Sequence, residues 1–133
     1  MIYFLDTNIC VYYLNTKSFP LIKKIDSIAL DNIKISAVVA AELYYGAVKS
    51  EKRDHNLARY KDFLSVFEIA DFDHTASQIY GDIRATLEAK GQVIGGNDMM
   101  IAATALAYGA VLVTNNTGEF SRIDGLVLED WTI

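Results

Sequence analysis

Cysteine, histidine and proline are all scarce in this chain. The one cysteine, Cys10, has no partner for an internal disulfide. Set in an apolar segment, it reads as a reduced core thiol. Two histidines, His55 and His74, beside that single cysteine argue against a zinc centre of the ordinary Cys/His kind. Nowhere do apolar residues run to the roughly 18 that a membrane span needs. The N-terminus lacks the basic start and long apolar stretch of a secretory leader. No membrane association and a cytoplasmic location are therefore expected. Basic residues are also in deficit, with 12 Lys and Arg against 17 Asp and Glu, for a net charge of −5. That balance argues against a broad basic surface that binds nucleic acid non-specifically. It does not exclude a nuclease, because a carboxylate-rich site stays negative until a metal neutralises it. Any metal should be a hard cation held through oxygen.

What the chain does have is apolar content, 52% of 133 residues, enough for one compact domain spanning 1–133. No repeat, low-complexity tract or linker divides it. Ile2–Leu5 reads as a buried strand and Ile9–Leu14 as a short helix. Pro20 suits a helix start, and Leu21, Ile22, Ile25, Ile28 and Ala29 form a helical stripe. Ile33–Ile35 is a second strand. Ser36 can cap a helix on which Val39, Leu43 and Ala47 share a face. Leu57, Tyr60 and Leu64 mark a further helix, and Val66–Ala70 a third strand. Asp73 suits a cap for the stripe Ala76, Ile79, Ile83 and Leu87, with Gly91 as its stop. Met99–Tyr108 is apolar on nearly every side, which predicts a buried helix ended by Gly109. Ala110–Val113 and Leu126–Leu128 read as fourth and fifth strands. Strands separated by helices imply crossovers and a mainly parallel sheet in an α/β fold. Such sheets bind ligands beyond the carboxyl ends of their strands.

The acids fall where that rule becomes informative. Asp6 follows the first strand without a spacer. Thr114 follows the fourth, with Asn116 and Glu119 in its loop. Ser36 follows the second, and Glu42 lies along the helix that Ser36 opens. Asp98 starts the helix "NDMMIAATALAYG". Taken singly, each has a plain explanation. Asp6 and Asp98 can cap helices, as can Asn97. Thr114 and Asn116 are good turn formers. Glu119 can be an ordinary surface acid; Glu42, on a face that looks apolar, is harder to dismiss, as a partly exposed helix acid or half of a buried ion pair. Taken together, acids gathered in one cleft would repel each other, and a divalent cation would relieve that repulsion. Mg²⁺ prefers oxygen ligands and bridges to phosphate, so the pattern points to phosphoryl chemistry.

The blocks "FLDTNIC", "AELYYGA", "IRATLEAKGQVIGGNDMMIAATA" and "LVTNNTGEFSRIDGLVLEDW" resemble, in order and at similar spacing, the PIN-domain ribonucleases. More narrowly they resemble the VapC toxins of VapBC type II toxin–antitoxin modules. The resemblance implies a three-layer α/β/α fold with a central, mainly parallel sheet. It also implies an endoribonuclease dependent on Mg²⁺ or Mn²⁺ that inhibits translation. Carried over by position, Asp6, Glu42 and Asp98 are catalytic acids and metal ligands. Thr114 and Asn116 hold the acidic cluster in place, and Asn8 stands at a supporting position. Many relatives carry Asp where this chain has Asn116. The pattern Thr-x-Asn-x-x-acid-Phe of other members fits Thr114 to Phe120 and gives the fourth acidic role to Glu119. The "TNNTGEF…GLVLEDW" ending resembles members that cut initiator tRNA.

Possible RNA contacts are Arg84, in one of the matching blocks, and Lys49; Lys52 and Arg53 suit an ordinary solvated helix face. The pairs Tyr12-Tyr13 and Tyr44-Tyr45 cannot all face one core, because adjacent helical residues point about 100° apart. Their spare faces suit either helix-edge packing or another chain. The partners implied are a VapB-type antitoxin, a second copy in a homodimer, and operator DNA only through the antitoxin. Competing readings are weaker. A haloacid-dehalogenase phosphatase requires a second Asp where Asn8 stands. A receiver-like domain requires a Lys where the chain has Thr114-Asn115-Asn116. A catalytically inactive PIN-like binding module remains, with the retained acids against it.

Overall fold

The computed structural model describes residues 1–133. β1 (Tyr3–Leu5) runs into α1 (Thr7–Leu14), followed by α2 (Phe19–Ser27), a 3-10 turn (Leu30–Asn32) and β2 (Ile33–Ser36). Then come α3 (Ala37–Lys49), α4 (Arg53–Ser65), β3 (Glu68–Ala70), α5 (His74–Ala89) and α6 (Gly96–Ala107). β4 (Val111–Val113), the single turn α7 (Thr117–Phe120) and β5 (Val127–Glu129) complete the chain.

All five strands form one parallel sheet in the order β3-β2-β1-β4-β5. Every residue of β2 and β4 is buried, as are Phe4 and Leu5 of β1. Successive strand residues point to opposite faces, so helices must cover both sides of the sheet centre. This is the expected three-layer α/β/α arrangement. The chain winds outward from β1 through β2 to β3, then returns to place β4 on the other side of β1. That reversal opens a crevice beyond the carboxyl ends of β1 and β4, where ligands bind in sheets of this kind.

Local chemistry sets the element ends. Ser18 Oγ accepts from Leu21 N, with Pro20 in the first turn of α2, where a missing N–H costs nothing. Ser36 Oγ accepts from Val39 N, and Asp73 Oδ1 from Ala76 N, as the sequence predicts. Gly91 and Gly109 have φ of +66° and +60°, the left-handed turn that lets the chain leave α5 and α6.

Some boundaries differ from expectation, each for a local reason. The third strand starts at Glu68, not Val66. Val66 closes α4 in helical geometry, and Phe67 N still bonds Leu64 O. α6 starts at Gly96 with Gly95 at the cap position, so Asn97 and Asp98, the expected caps, both lie inside its first turn. α1 starts at Thr7, and the last strand lies one residue later than Leu126–Leu128. α7, four residues long, was not anticipated.

Lys34 is a residue that apolar patterning does not foresee. It lies on a central strand, 9% exposed, and pairs with Glu68, its register partner on β3. Its Nζ also sits 5.8 Å from the Tyr108 ring centroid. On α1, Tyr13 packs against Phe63 and donates its hydroxyl to Asp26, so this tyrosine is used inside the chain. Tyr45 is 66% exposed.

Phe120 is fully buried and anchors α7, the turn that carries Glu119. Phe120→Ala is expected to lower stability by about 3–5 kcal/mol, read as a lower urea midpoint at an unchanged slope.

Candidate active site

Asp6 leaves β1 at the crevice, only 5% exposed. Oδ1 accepts from Thr7 N at 2.8 Å, which caps α1. Oδ2 accepts from Thr114 Oγ1, also at 2.8 Å. Of the roles open to Asp6 at the sequence level, the helix cap is made, and the second oxygen is turned to Thr114. Thr114 is fully buried at the end of β4, and its oxygen accepts in turn from Asn116 N at 2.9 Å. Asn116 Nδ2 donates to Glu119 Oε2 at 3.2 Å. A single chain of hydrogen bonds therefore links Asp6, Thr114, Asn116 and Glu119.

Glu42 is fixed from the other side. It lies in the second turn of α3, half-buried. Oε1 accepts from Thr7 Oγ1 at 2.5 Å, and Oε2 from Asn97 Nδ2 at 3.3 Å. Thr7 and Asn97 are the polar partners that sequence reasoning missed, Asn97 reading there only as a helix cap. Each is far from Glu42 in sequence, so no local spacing signals the contact.

Asp98 lies in the first turn of α6, half-buried. Burial, then the charges of Asp6, Glu42 and Glu119, push its carboxyl up to about 6. Asp6 is also raised, chiefly by burial and slightly by Glu42, against the lowering effect of its bonds from Thr114 and Thr7. Acids from four separate elements thus share one field. No lysine or arginine pairs with any of them; the ion pairs of the molecule are Lys34–Glu68, Arg84–Glu88 and Lys90–Asp124. No three of the acids stand within joint ligating distance, as expected for like charges that repel. The donor set is all carboxylate, with no thiolate or imidazole, and it fits a hard cation that takes oxygen ligands.

The other candidates lie apart from this cluster. Asn8 is exposed, and no hydrogen bond ties it to the acids. Arg84 is exposed on α5, where its guanidinium meets Tyr80 Oη at 3.0 Å and Glu88 at 3.4 Å. Lys49 ends α3, its Nζ 5.7 Å from the Tyr45 ring centroid. Beside Glu42 opens a cleft of about 610 Å³, lined by residues of α3 together with Thr7, Asn97 and Met100.

Comparison with known proteins bears on the family. The PIN domain family model matches residues 3–126. "Ribonuclease VapC2" of Rickettsia felis is 48% identical over 132 residues, covering 98% of both chains. "tRNA(fMet)-specific endonuclease VapC" of Shigella flexneri is 39% identical over 130 residues, again covering 98% of both. Among solved structures, VapBC2 from Rickettsia felis bound to a DNA fragment from its promoter contains a chain that superimposes with a TM-score of 0.92. That chain is 47% identical, with 98% of this chain and 99% of that one covered. The chain belongs to the PIN-domain family and, by full-length likeness to these relatives, to the VapC ribonucleases within it. No helix is long and apolar enough to cross a membrane.

The raised Asp98 has a consequence for stability. Between 3.8 and about 6 the folded chain holds a proton that the unfolded chain has released, so stability falls as pH rises through this window. In chelator, Asp98→Asn is expected to match the parent near pH 4 and to exceed it at pH 7. Urea midpoints at the two values test this.

Proposed function

We propose that this chain is the toxin of a type II toxin–antitoxin module, a metal-dependent endoribonuclease that cleaves RNA and thereby inhibits translation. The observation that carries the reading is the set of four acids, Asp6, Glu42, Asp98 and Glu119, coupled across the crevice with no basic side chain to neutralise them. A bound Mg²⁺ or Mn²⁺ would activate water and offset charge on the phosphoryl oxygens. Asp6 and Asp98 are the residues that would anchor it, with Glu42 and Glu119 completing the acidic set. Thr114 holds Asp6 at a fixed angle, and Asn116 tethers Glu119. Thr7 and Asn97 keep both oxygens of Glu42 engaged. The reaction class is phosphodiester hydrolysis that leaves 5′-phosphate and 3′-hydroxyl ends.

Transfer RNA is the proposed substrate class, with initiator tRNA foremost. The name of the Shigella flexneri relative and the likeness of the C-terminal block support this. A VapB-type antitoxin as partner, with operator DNA reached only through it, is supported by the promoter-bound VapBC2 neighbour. The remaining elements of the proposal are a homodimer, one PIN unit over residues 1–133, and a cytoplasmic setting.

Purified chain is expected to cleave bulk tRNA with Mg²⁺ and to stop on addition of EDTA. Asp6→Asn is expected to lose more than the roughly 10- to 100-fold typical of removing a residue that merely orients a ligand. Thr114→Val, which keeps shape but removes the donor to Asp6, should fall within that 10- to 100-fold range. Full cleavage by Asp6→Asn would reject the assignment. Absence of metal-dependent cleavage by the parent would favour an inactive binding module.

A further inference from the structure

Along α3, Glu42, Tyr45 and Lys49 stand at i, i+3 and i+7, on one face of the helix. Glu42 belongs to the acidic cluster. One turn on, Tyr45 exposes 66% of its surface yet lines the cleft that begins at Glu42. Two turns on, Lys49 sets its Nζ 5.7 Å from the centre of the Tyr45 ring. Asn97 and Met100, on successive turns of α6, form the facing wall, and Val38 and Ala41 supply apolar lining. The cleft, about 610 Å³, lies within the size range of ordinary ligand pockets, and Glu42 alone of the four acids lines it.

We propose that this cleft receives an unstacked nucleobase of the RNA substrate next to the scissile phosphate, with Tyr45 as its stacking platform and Lys49 as the contact to the adjoining backbone phosphate. The inference rests on the nuclease reading and adds a base-binding site to it. Three features favour a base over a protein side chain. Glu42 lines the cleft together with Thr7 and Asn97, the sequence neighbours of Asp6 and Asp98, so an occupant lies next to the acidic cluster. Its aromatic is exposed, with only the Lys49 ammonium over the ring, and an exposed ring binds bases with little sequence preference. The cation next to that face matches the pairing of stacked base with neutralised phosphate in single-strand binding sites. Tyr12 and Tyr13, by contrast, are half-buried on α1.

Steady-state cleavage of bulk tRNA with Mg²⁺ tests the platform. Tyr45→Ala should raise KM by about 5- to 150-fold, the loss expected for one base–aromatic stack, and leave kcat nearly as it was. Tyr45→Phe keeps the π face and should restore KM, whereas Tyr45→Leu, apolar but without that face, should behave like Tyr45→Ala. The position is exposed, so thermal melts of the three variants should coincide. Fluorescence anisotropy with a labelled ten-residue oligo(A) reads binding without turnover, which separates failure of the platform from failure of the nuclease reading. An unchanged KM and affinity in Tyr45→Ala would overturn the proposal. So would rescue by Leu, which would indicate simple apolar docking. Loss of dimer or of antitoxin binding with cleavage kinetics intact would also overturn it and assign the face to a protein.

Discussion

The buried hydrogen bond from Thr114 to Asp6 is the contact on which the site depends. A carboxylate held at 5% exposure is costly unless its oxygens are engaged, and here both are. The donor arrives by sheet construction. Leu5 and Val113 are register partners on neighbouring strands, so the residues that follow them leave the sheet side by side. Asp6 N bonding Val113 O extends that pairing one step beyond the strand. The orientation of the central acid is therefore inherited from the centre of the sheet, and a shift of one residue in β1–β4 register would separate donor from acceptor.

Around that bond the helices supply the remaining groups at their N-terminal halves. Asp6 caps α1, Asp98 lies in the first turn of α6, and Glu42 lies in the second turn of α3. Helix N-termini favour negative charge by about 0.3–1 kcal/mol each. That is too little to win here, since Asp98 is still pushed up to about 6 by burial and its three acidic neighbours. The site keeps a surplus of negative charge that its own fold does not neutralise. A cluster built for structural capping alone would not combine four acids in this way, since each added carboxylate opposes the others.

Most of the architecture was legible because it rests on periodic or local signals. Ser36, Asp73, Gly91 and Gly109 marked helix ends by chemistry that acts over three or four residues, and strand–helix alternation indicated a parallel sheet. Asp6, Glu42, Asp98 and Glu119 stand out by their place after strands and in family-like blocks, and the structure brings them into one field. What was not legible is long-range or too short to have a period. The Thr7 and Asn97 bonds to Glu42 cross 35 and 55 residues of sequence. The Lys34–Glu68 pair depends on which strands become neighbours. α7 has one turn and no stripe.

The charge balance then constrains how RNA can be recognised. A protein that binds mainly through phosphates needs many free cations, and this chain carries net −5. Lys34, Arg84 and Lys90 are already committed to Glu68, Glu88 and Asp124. The acids themselves repel the phosphate that must reach them until a cation intervenes. Affinity in the proposed reading must therefore come from features other than bulk charge: the shape of a folded RNA, bases already out of the helix, and surfaces such as the Tyr45 cleft. Selectivity for a loop or stem-loop follows from the same constraint, because only there are bases free to leave the stack beside a phosphate that fits the crevice.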